Sequence, residues 1–232
     1  MKNLKKLILG MFVSFAMISA TQAFEGLSIG LVHNETDFSV AGTETTKGAI
    51  ASGALDNNNI SKAGSTDFGS LFVEWTFAQG STIGLEHIPG DAEISKASRT
   101  QTNTEDLGQD VSGTITVSAT VSDHTVVYAE PTLMFNDRFG IYAKGGFAQV
   151  TLTPKVTESA DTIQSTYTAK DVYGVATGFG AKLYIGESFF AKAEYLETDY
   201  GKYAHTSTTG TLGTVTADID TEQTRFAIGY NF

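Results

Sequence analysis

Eight stretches of this chain alternate, residue by residue, between large apolar side chains and small or polar ones. Such alternation marks a strand with two unlike faces. GLSIGLV sets Leu27, Ile29 and Leu31 against Gly26, Ser28 and Gly30, and GSLFVEWTF sets Leu71, Val73, Trp75 and Phe77 against Ser70, Phe72, Glu74 and Thr76. TIGLEH, VVYAEPTLMF, FGIYAKGGF, VYGVATGFGAKLYI and FFAKAEYL repeat the pattern, and QTRFAIGYNF closes the chain with Phe226, Ile228, Tyr230 and Phe232 on the apolar face. No window after the N-terminal segment carries apolar residues at helical spacing or approaches the length of a membrane-spanning helix.

The connections between these stretches alternate too. Residues 78–81, 136–138 and 186–188 are tight turns with turn-forming residues. Residues 34–66, 89–114, 152–170 and 197–220 are long and polar, rich in Thr, Ser, Asn, Asp and Gly. Three short and four long connections around eight strands predict an all-β, antiparallel, up-and-down transmembrane β-barrel, with short periplasmic turns and long extracellular loops. Two other all-β folds show alternation. A soluble sandwich would carry dense charge on its weaker face, and here that face is Gly, Ser, Thr and Ala with sparse ionisable groups. A lipocalin-like barrel would turn the aromatic face inward. The placement of Trp75, Phe77, Phe135, Phe139 and Phe189 beside the short turns favours the membrane reading, since an aromatic girdle lies at that level.

The N-terminus agrees with export. Lys2, Lys5 and Lys6 precede an apolar run from Leu7 to Ile18, and Thr21 and Ala23 stand at the −3 and −1 positions of a cut before Phe24. This is a secretory signal over residues 1–23, with the barrel domain over 24–232, and the run is shorter than the roughly 20 residues that span a bilayer. Loss of the three lysines takes the net charge from −11 to −14. So acidic a chain is a poor nucleic-acid binder, because displacing phosphate counterions takes Lys and Arg. It contains no cysteine, so its stability owes nothing to disulfides.

With strands, turns and terminus in view, the chain resembles the small OmpA/OmpX-type outer-membrane β-barrels of Gram-negative bacteria, within the porin-like group. The closing Phe226, Ile228, Tyr230 and Phe232 are similar to their C-terminal assembly signal, which the barrel-assembly machinery reads. The resemblance implies an integral outer-membrane location, outer-membrane lipids and lipopolysaccharide as neighbours, and a surface ligand for the loops. Because the sequence ends at Phe232, the peptidoglycan-binding domain that OmpA carries is not expected. A second resemblance is to the OmpW-type barrels, which pass small hydrophobic molecules and need an apolar lumen open to a lateral gate. Phe72, Tyr128, Val150 and Leu152 face inward by parity and would line such an upper lumen.

Little in the sequence carries reaction chemistry. His33, His87, His124 and His205 make no metal-ligand spacing. Asp123-His124-Thr125-Val126 has Val126 where lipid A deacylases have a serine, so enzyme activity ranks last. Gly178-Phe179-Gly180 lacks the third glycine and helix of a dinucleotide fingerprint. Asp56-Asn57-Asn58-Asn59 lacks the glycine and glutamate of a calcium loop. No catalytic residue, metal site or cofactor is expected. The inward face does carry charge: Glu74, Glu86, Glu130 and Glu194 against Lys144, Lys182, Lys192 and Arg225. Counted from the turns, the eight fall in one layer near mid-membrane. Glu130 stands opposite Lys144, and the other acids find bases only across the lumen. An ion-pair network plugging the barrel is expected, with a structural or surface-interaction role for the protein. The remaining acidic groups lie in or near the long connections, as a solvated surface or as carboxylates bridged to lipopolysaccharide by divalent cations.

Overall fold

The computed structural model describes residues 25–47, 55–104, 110–158, 168–206 and 214–232. Residues 1–23, expected to be a secretory signal, lie outside them. Ten strands follow in order: β1 (Gly26–Lys47), β2 (Leu55–Thr76), β3 (Thr82–Ile88), β4 (Ala92–Thr104), β5 (Asp110–Glu130), β6 (Thr132–Met134), β7 (Phe139–Glu158), β8 (Lys170–Ile185), β9 (Phe189–Thr206) and β10 (Thr214–Asn231). They make eight wall strands. Proline has no N–H to give a ladder, and Pro89 and Pro131 each divide one wall strand into two segments, β3 with β4 and β5 with β6.

Every junction is antiparallel, and β1 pairs with β10 from Ser28↔Asn231 to Thr45↔Thr214, which closes the sheet on itself. Phe232 N–H donates to Leu27 O at 3.0 Å, so the ladder runs to the last residue. The short turns are built as their sequences suggest. Gly80 and Gly186 take φ of 79° and 69°, and the Asn136 side chain accepts from Arg138 N at 2.8 Å and Phe139 N at 2.9 Å.

The registers fix the barrel's shear. Stepping from strand to strand along directly paired residues leads from Trp75 through Ile83, Ala129, Gly145, Thr177, Glu197, Glu222 and Asp37 to Ser65. The circuit thus returns to β2 ten residues higher. A shear of this size on eight strands tilts them by about 40°, so each residue climbs roughly 2.5 Å and each strand step roughly 3 Å.

The long connections are largely strand. β1 and β2 are 22 residues each, and β2 contains Asp56-Asn57-Asn58-Asn59, paired with residues 43–46 of β1 rather than looped. Polar, Thr-rich sequence reads as loop when one face must be apolar. Above the membrane the outward face meets water instead of lipid, and Thr suits the pleated surface. Several acids assigned to loops, among them Glu35, Asp37, Asp199, Asp220 and Glu222, are outward residues of extended strands.

Burial is inverted relative to a water-soluble protein. Phe147, Phe179 and Phe232 are 74%, 62% and 70% exposed, while Glu130 and Lys182 are 0% exposed. On β8 the outward face stays free of charge from Ile185 to Val175, which at this tilt is about 25 Å, the height of a lipid-facing band. Ile228 on β10 is outward and near the middle of that band. Ile228→Arg is therefore expected to cost about 2–4 kcal/mol in urea unfolding from lipid bilayers, and Gln149→Arg at the outer rim about 0–1 kcal/mol. Equal, small effects at both positions would place the barrel in water.

Candidate functional site

The lumen narrows to a band where inward side chains of every wall strand meet. Its polar members sit in two tiers. In the lower tier Lys192 Nζ lies 2.5 Å from Glu74 Oε2 and 2.7 Å from Glu130 Oε2, and Lys182 Nζ lies 3.3 Å from Glu74 Oε1. Thr82 Oγ1 accepts from Lys182 at 3.0 Å. In the upper tier Glu194 takes Lys144 at 3.1 Å and Arg225 Nη1 at 2.5 Å, while Arg225 Nη2 binds Glu86. Ser70 donates to Glu86 at 2.6 Å, and the Asn34 side-chain oxygen accepts from Arg225 Nε at 2.7 Å. Lys144 joins the tiers, 3.4 Å from Glu130. All eight charged groups are buried.

The expected single layer is thus a double one. The shear explains it: equal counts above the turns do not mean equal heights, because each strand starts about 3 Å from its neighbour's level. By that geometry Lys182 and Arg225 are about 11 Å apart along the axis. The partner pattern also differs from expectation. Glu130 does meet Lys144, but Glu194 finds Arg225 directly opposite it on the neighbouring strand, not only across the lumen. Lys182 and Lys192 are also directly opposite each other on β8 and β9. Two like charges in that position repel, and Glu74 and Glu130 stand between them as shared counter-ions.

Two tyrosines complete the set and carry no signal in the charge pattern. Tyr128 Oη donates to Glu74 at 3.0 Å, and Tyr142 Oη donates to Glu194 at 3.0 Å. Each ring lies flat against a glycine. A Cβ on Gly84 would come within 2.4 Å of Tyr128, and one on Gly180 within 2.5 Å of the Tyr142 hydroxyl. The lumen glycines make the room that lets these hydroxyls reach the carboxylates. Tyr128 also lies 3.9 Å beneath Lys144 Nζ, a cation–π contact.

Two apolar clusters flank the tiers and reach into them. Phe72 belongs with Val32, Tyr184 and Phe190, the last two beside the 186–188 turn, and with Val32 it also lines the small cavity among the charged groups. Its ring leans over Gly30 toward the turns. Val126, Tyr128, Val150, Leu152, Val172, Leu196, Tyr200 and Ile219 form the upper cluster. The wall beside this cluster is incomplete. β2 and β3 pair only from Thr76↔Thr82 to Leu71↔His87, and above that β4 pairs with β5 alone. Among the described residues β2 from Leu55 to Ser70 and all of β4 have no partner on their facing edges. A groove of about 730 Å³ marks the foot of this slit, lined by Leu31, His33, Gly69, Leu71, Pro89, Phe226 and Ile228 among others.

The remaining candidates are scattered. His33 and His87 face outward, His87 beside Thr125 at 3.1 Å, and His205 lies 2.7 Å from Thr168. His124 Nε2 meets Tyr200 Oη at 2.5 Å across the lumen, and Val126 two residues on is buried among apolar neighbours. Asp123 takes φ of 53°, at an irregularity in the pairing of β5 with β7. No cluster of three or more His, Asp or Glu side chains among the described residues has the geometry of a metal site. Trp75, Phe77, Phe135, Phe139 and Phe189 are exposed at the end of the short turns, and Phe226, Ile228, Tyr230 and Phe232 are exposed on the outward face of β10 and the terminus.

The tiers make a measurable claim on energetics. Glu130→Gln or Lys192→Met alone leaves a buried partner short of its counter-ion and is expected to cost on the order of 3–5 kcal/mol in bilayer urea unfolding. The double variant should cost less than the two single costs added, by about 0.5–3 kcal/mol. Additive costs would mean that the two groups are independently hydrated.

No family model and no curated protein matches the chain. Several solved structures are similar to it. The outer membrane protease OmpT of Escherichia coli has a TM-score of 0.46 at 10% identity over 94% of this chain and 100% of that one. The outer membrane protein OprG of Pseudomonas aeruginosa has 0.43 at 11% over 92% and 100%. The Escherichia coli Outer Membrane Protein W has 0.39 at 12% over 93% and 100%. The assignment itself rests on the barrel's own geometry. A backbone ladder closed through the bilayer, an apolar band facing out and charge turned in leave only lipid as the surrounding solvent. The chain is an eight-stranded transmembrane β-barrel of the outer-membrane type.

Proposed function

We propose that this protein is an integral outer-membrane barrel without a through-channel, exported by a cleaved signal and working at its outer end. The observation that carries this reading is the filling of the lumen at the two tiers. Four acids and four bases lie within ion-pair distance of one another there. The cavity left among them is about 10 Å³, the room of a single water. An eight-stranded barrel has an interior just wide enough for side chains, and here charged side chains occupy it. Solutes then have no continuous aqueous path, and the extended acidic strands above the membrane become the working surface. Their neighbours are lipopolysaccharide and whatever ligand the outer ends meet, and the apolar face of the closing strand serves the assembly machinery.

A second reading is favoured by the slit. The upper lumen is lined mainly by apolar side chains beside buried Thr36, Thr198 and Gln223, its floor is the upper ion-pair tier, and its wall is unpaired between β2 and β4. A small apolar molecule entering from outside would leave sideways toward the outer leaflet, as the resemblance to OmpW-type barrels implies. Neither reading gives the protein a reaction to catalyse.

In planar bilayers the purified barrel should show no stable large conductance step. Cells carrying it should take up an uncharged apolar probe faster than a deletion strain if the second reading holds, with no gain for hydrophilic sugars. A steady, large ionic conductance would overturn the closed-lumen reading, and equal uptake of the apolar probe by both strains would remove the second.

A further inference from the structure

Above Leu71 and His87 the wall is no longer a ring. It is a curled sheet that runs from the free edge of β4 through β5, β7, β8, β9, β10 and β1 to the free edge of β2. A curled sheet with two free edges has nothing in its backbone to fix how far the edges stand apart. Besides the packing of the upper apolar cluster, one side-chain hydrogen bond among the described residues spans the curl above the ion-pair tiers. His124 is on β5, one strand in from the β4 edge, and it pairs with Ile88 immediately below the Pro89 break. Tyr200 is on β9, three strands further round, paired to Gly174 on β8. Their 2.5 Å hydrogen bond and edge-on ring contact make a chord across the lumen at the height of the slit. The chord borders apolar side chains, with Val126 and Leu196 in the same buried cluster as Tyr200. A hydrogen bond exchanged for no water in such a place is costly to break.

We propose that the His124–Tyr200 pair is the bar that sets the width of the slit between β2 and the third wall strand, and that it gates sideways passage. The gating role rests on the second reading of function. The mechanical role does not. With the bond made, β5 is drawn toward β9 and the β4 edge stays near β2. With it broken, the curl opens from the Pro89 break upward, while the ring below Leu71 stays closed by its own ladder. The ligand class follows from the walls the opening would expose. It is an uncharged, mainly apolar small molecule, since the upper cluster offers apolar side chains and few polar groups.

The chain has no cysteine, so introduced labels are unique. Spin labels at Asp67 and Asp91, both exposed and on opposite sides of the slit, report its width. A second pair at Gln149 and Tyr173, directly paired across β7 and β8, reports the intact wall. The comparison is the mature barrel in lipopolysaccharide-containing bilayers, as wild type, Tyr200→Phe, His124→Leu and the double variant. Tyr200→Phe keeps the ring and removes only the hydroxyl, and the wall pair certifies that each variant is folded. The slit distance is expected to lengthen by about 5 Å, one strand spacing, in each single variant and no further in the double. The wall distance stays constant. Cells expressing Tyr200→Phe should take up N-phenyl-1-naphthylamine faster than wild type, and cross-linking cysteines at positions 67 and 91 should abolish the gain. An unchanged slit distance in all three variants overturns the bar and leaves sideways passage standing. A wider slit with unchanged uptake overturns the gate, while equal uptake by wild type and the deletion strain overturns the second reading.

Discussion

Hydrocarbon offers no partner to a backbone N–H or C=O, and the rest of this molecule follows from that. A sheet in lipid has to close, because an open edge would strand a row of polar groups at several kcal/mol apiece. Closure demands that the chain's last strand reach its first, and β10 pairs with β1 through to Phe232. It also demands one consistent shear, and the ten-residue rise around the ring settles which side chains share a level. Strand parity then has no freedom left. Outward positions meet acyl chains, and inward positions meet one another in a space just wide enough to hold them.

Under that constraint the buried charges serve register as much as stability. Replacing a buried ion network with apolar side chains is often neutral or better for stability. In this barrel it would also make both faces of each strand apolar, and a one-residue slip would then cost little. With Glu74, Glu130, Lys182 and Lys192 on the inward face, the same slip would turn charge into lipid, at about 2–4 kcal/mol for each base near mid-membrane. The direct opposition of Lys182 and Lys192 is tolerated because each finds Glu74 and Glu130 within reach. The network is neutral as a whole, four acids against four bases, so none of its members has to be matched by solvent.

This division between local and global information explains what the sequence disclosed. Alternation is local, and it is enough to place Phe179 outward and Lys182 inward on the same strand. Turn chemistry is local too, as at Gly80 and Asn136. The barrel and its strand order were therefore legible. Which acid meets which base was not, because height depends on the shear, and shear accumulates over eight registers. Hence the eight charges form two tiers, and Phe72 joins the cluster of Tyr184 and Phe190 although its parity alone suits either end. The Thr- and Asn-rich stretches hid strands for a different reason. Their outward face meets water rather than lipid and is polar, so the apolar alternation that betrays a membrane strand is weak. Tyr128 was read only as an inward lumen residue and Tyr142 not at all, because a tyrosine on an inward face announces packing, and the glycine beneath it makes the room for the hydroxyl to reach a carboxylate.

The same constraint accounts for where the ring is allowed to open. On the slit side the last outward apolar residues are Leu31, Leu71, Leu85 and Phe226, and the next outward positions are His33, Gly69, His87 and Thr224. The pairing of β2 with β3 ends at Leu71↔His87, the level at which that change occurs. On β7 and β8 the outward face stays apolar higher, through Phe147 and Val175, and those strands remain paired up to Leu152↔Lys170. The ladder is complete where hydrocarbon requires it and lapses where water or headgroups can satisfy the freed edges. Pro89, which has no N–H to leave stranded, stands at the foot of the lapse. The slit therefore opens at the headgroup level of the outer leaflet rather than into mid-bilayer.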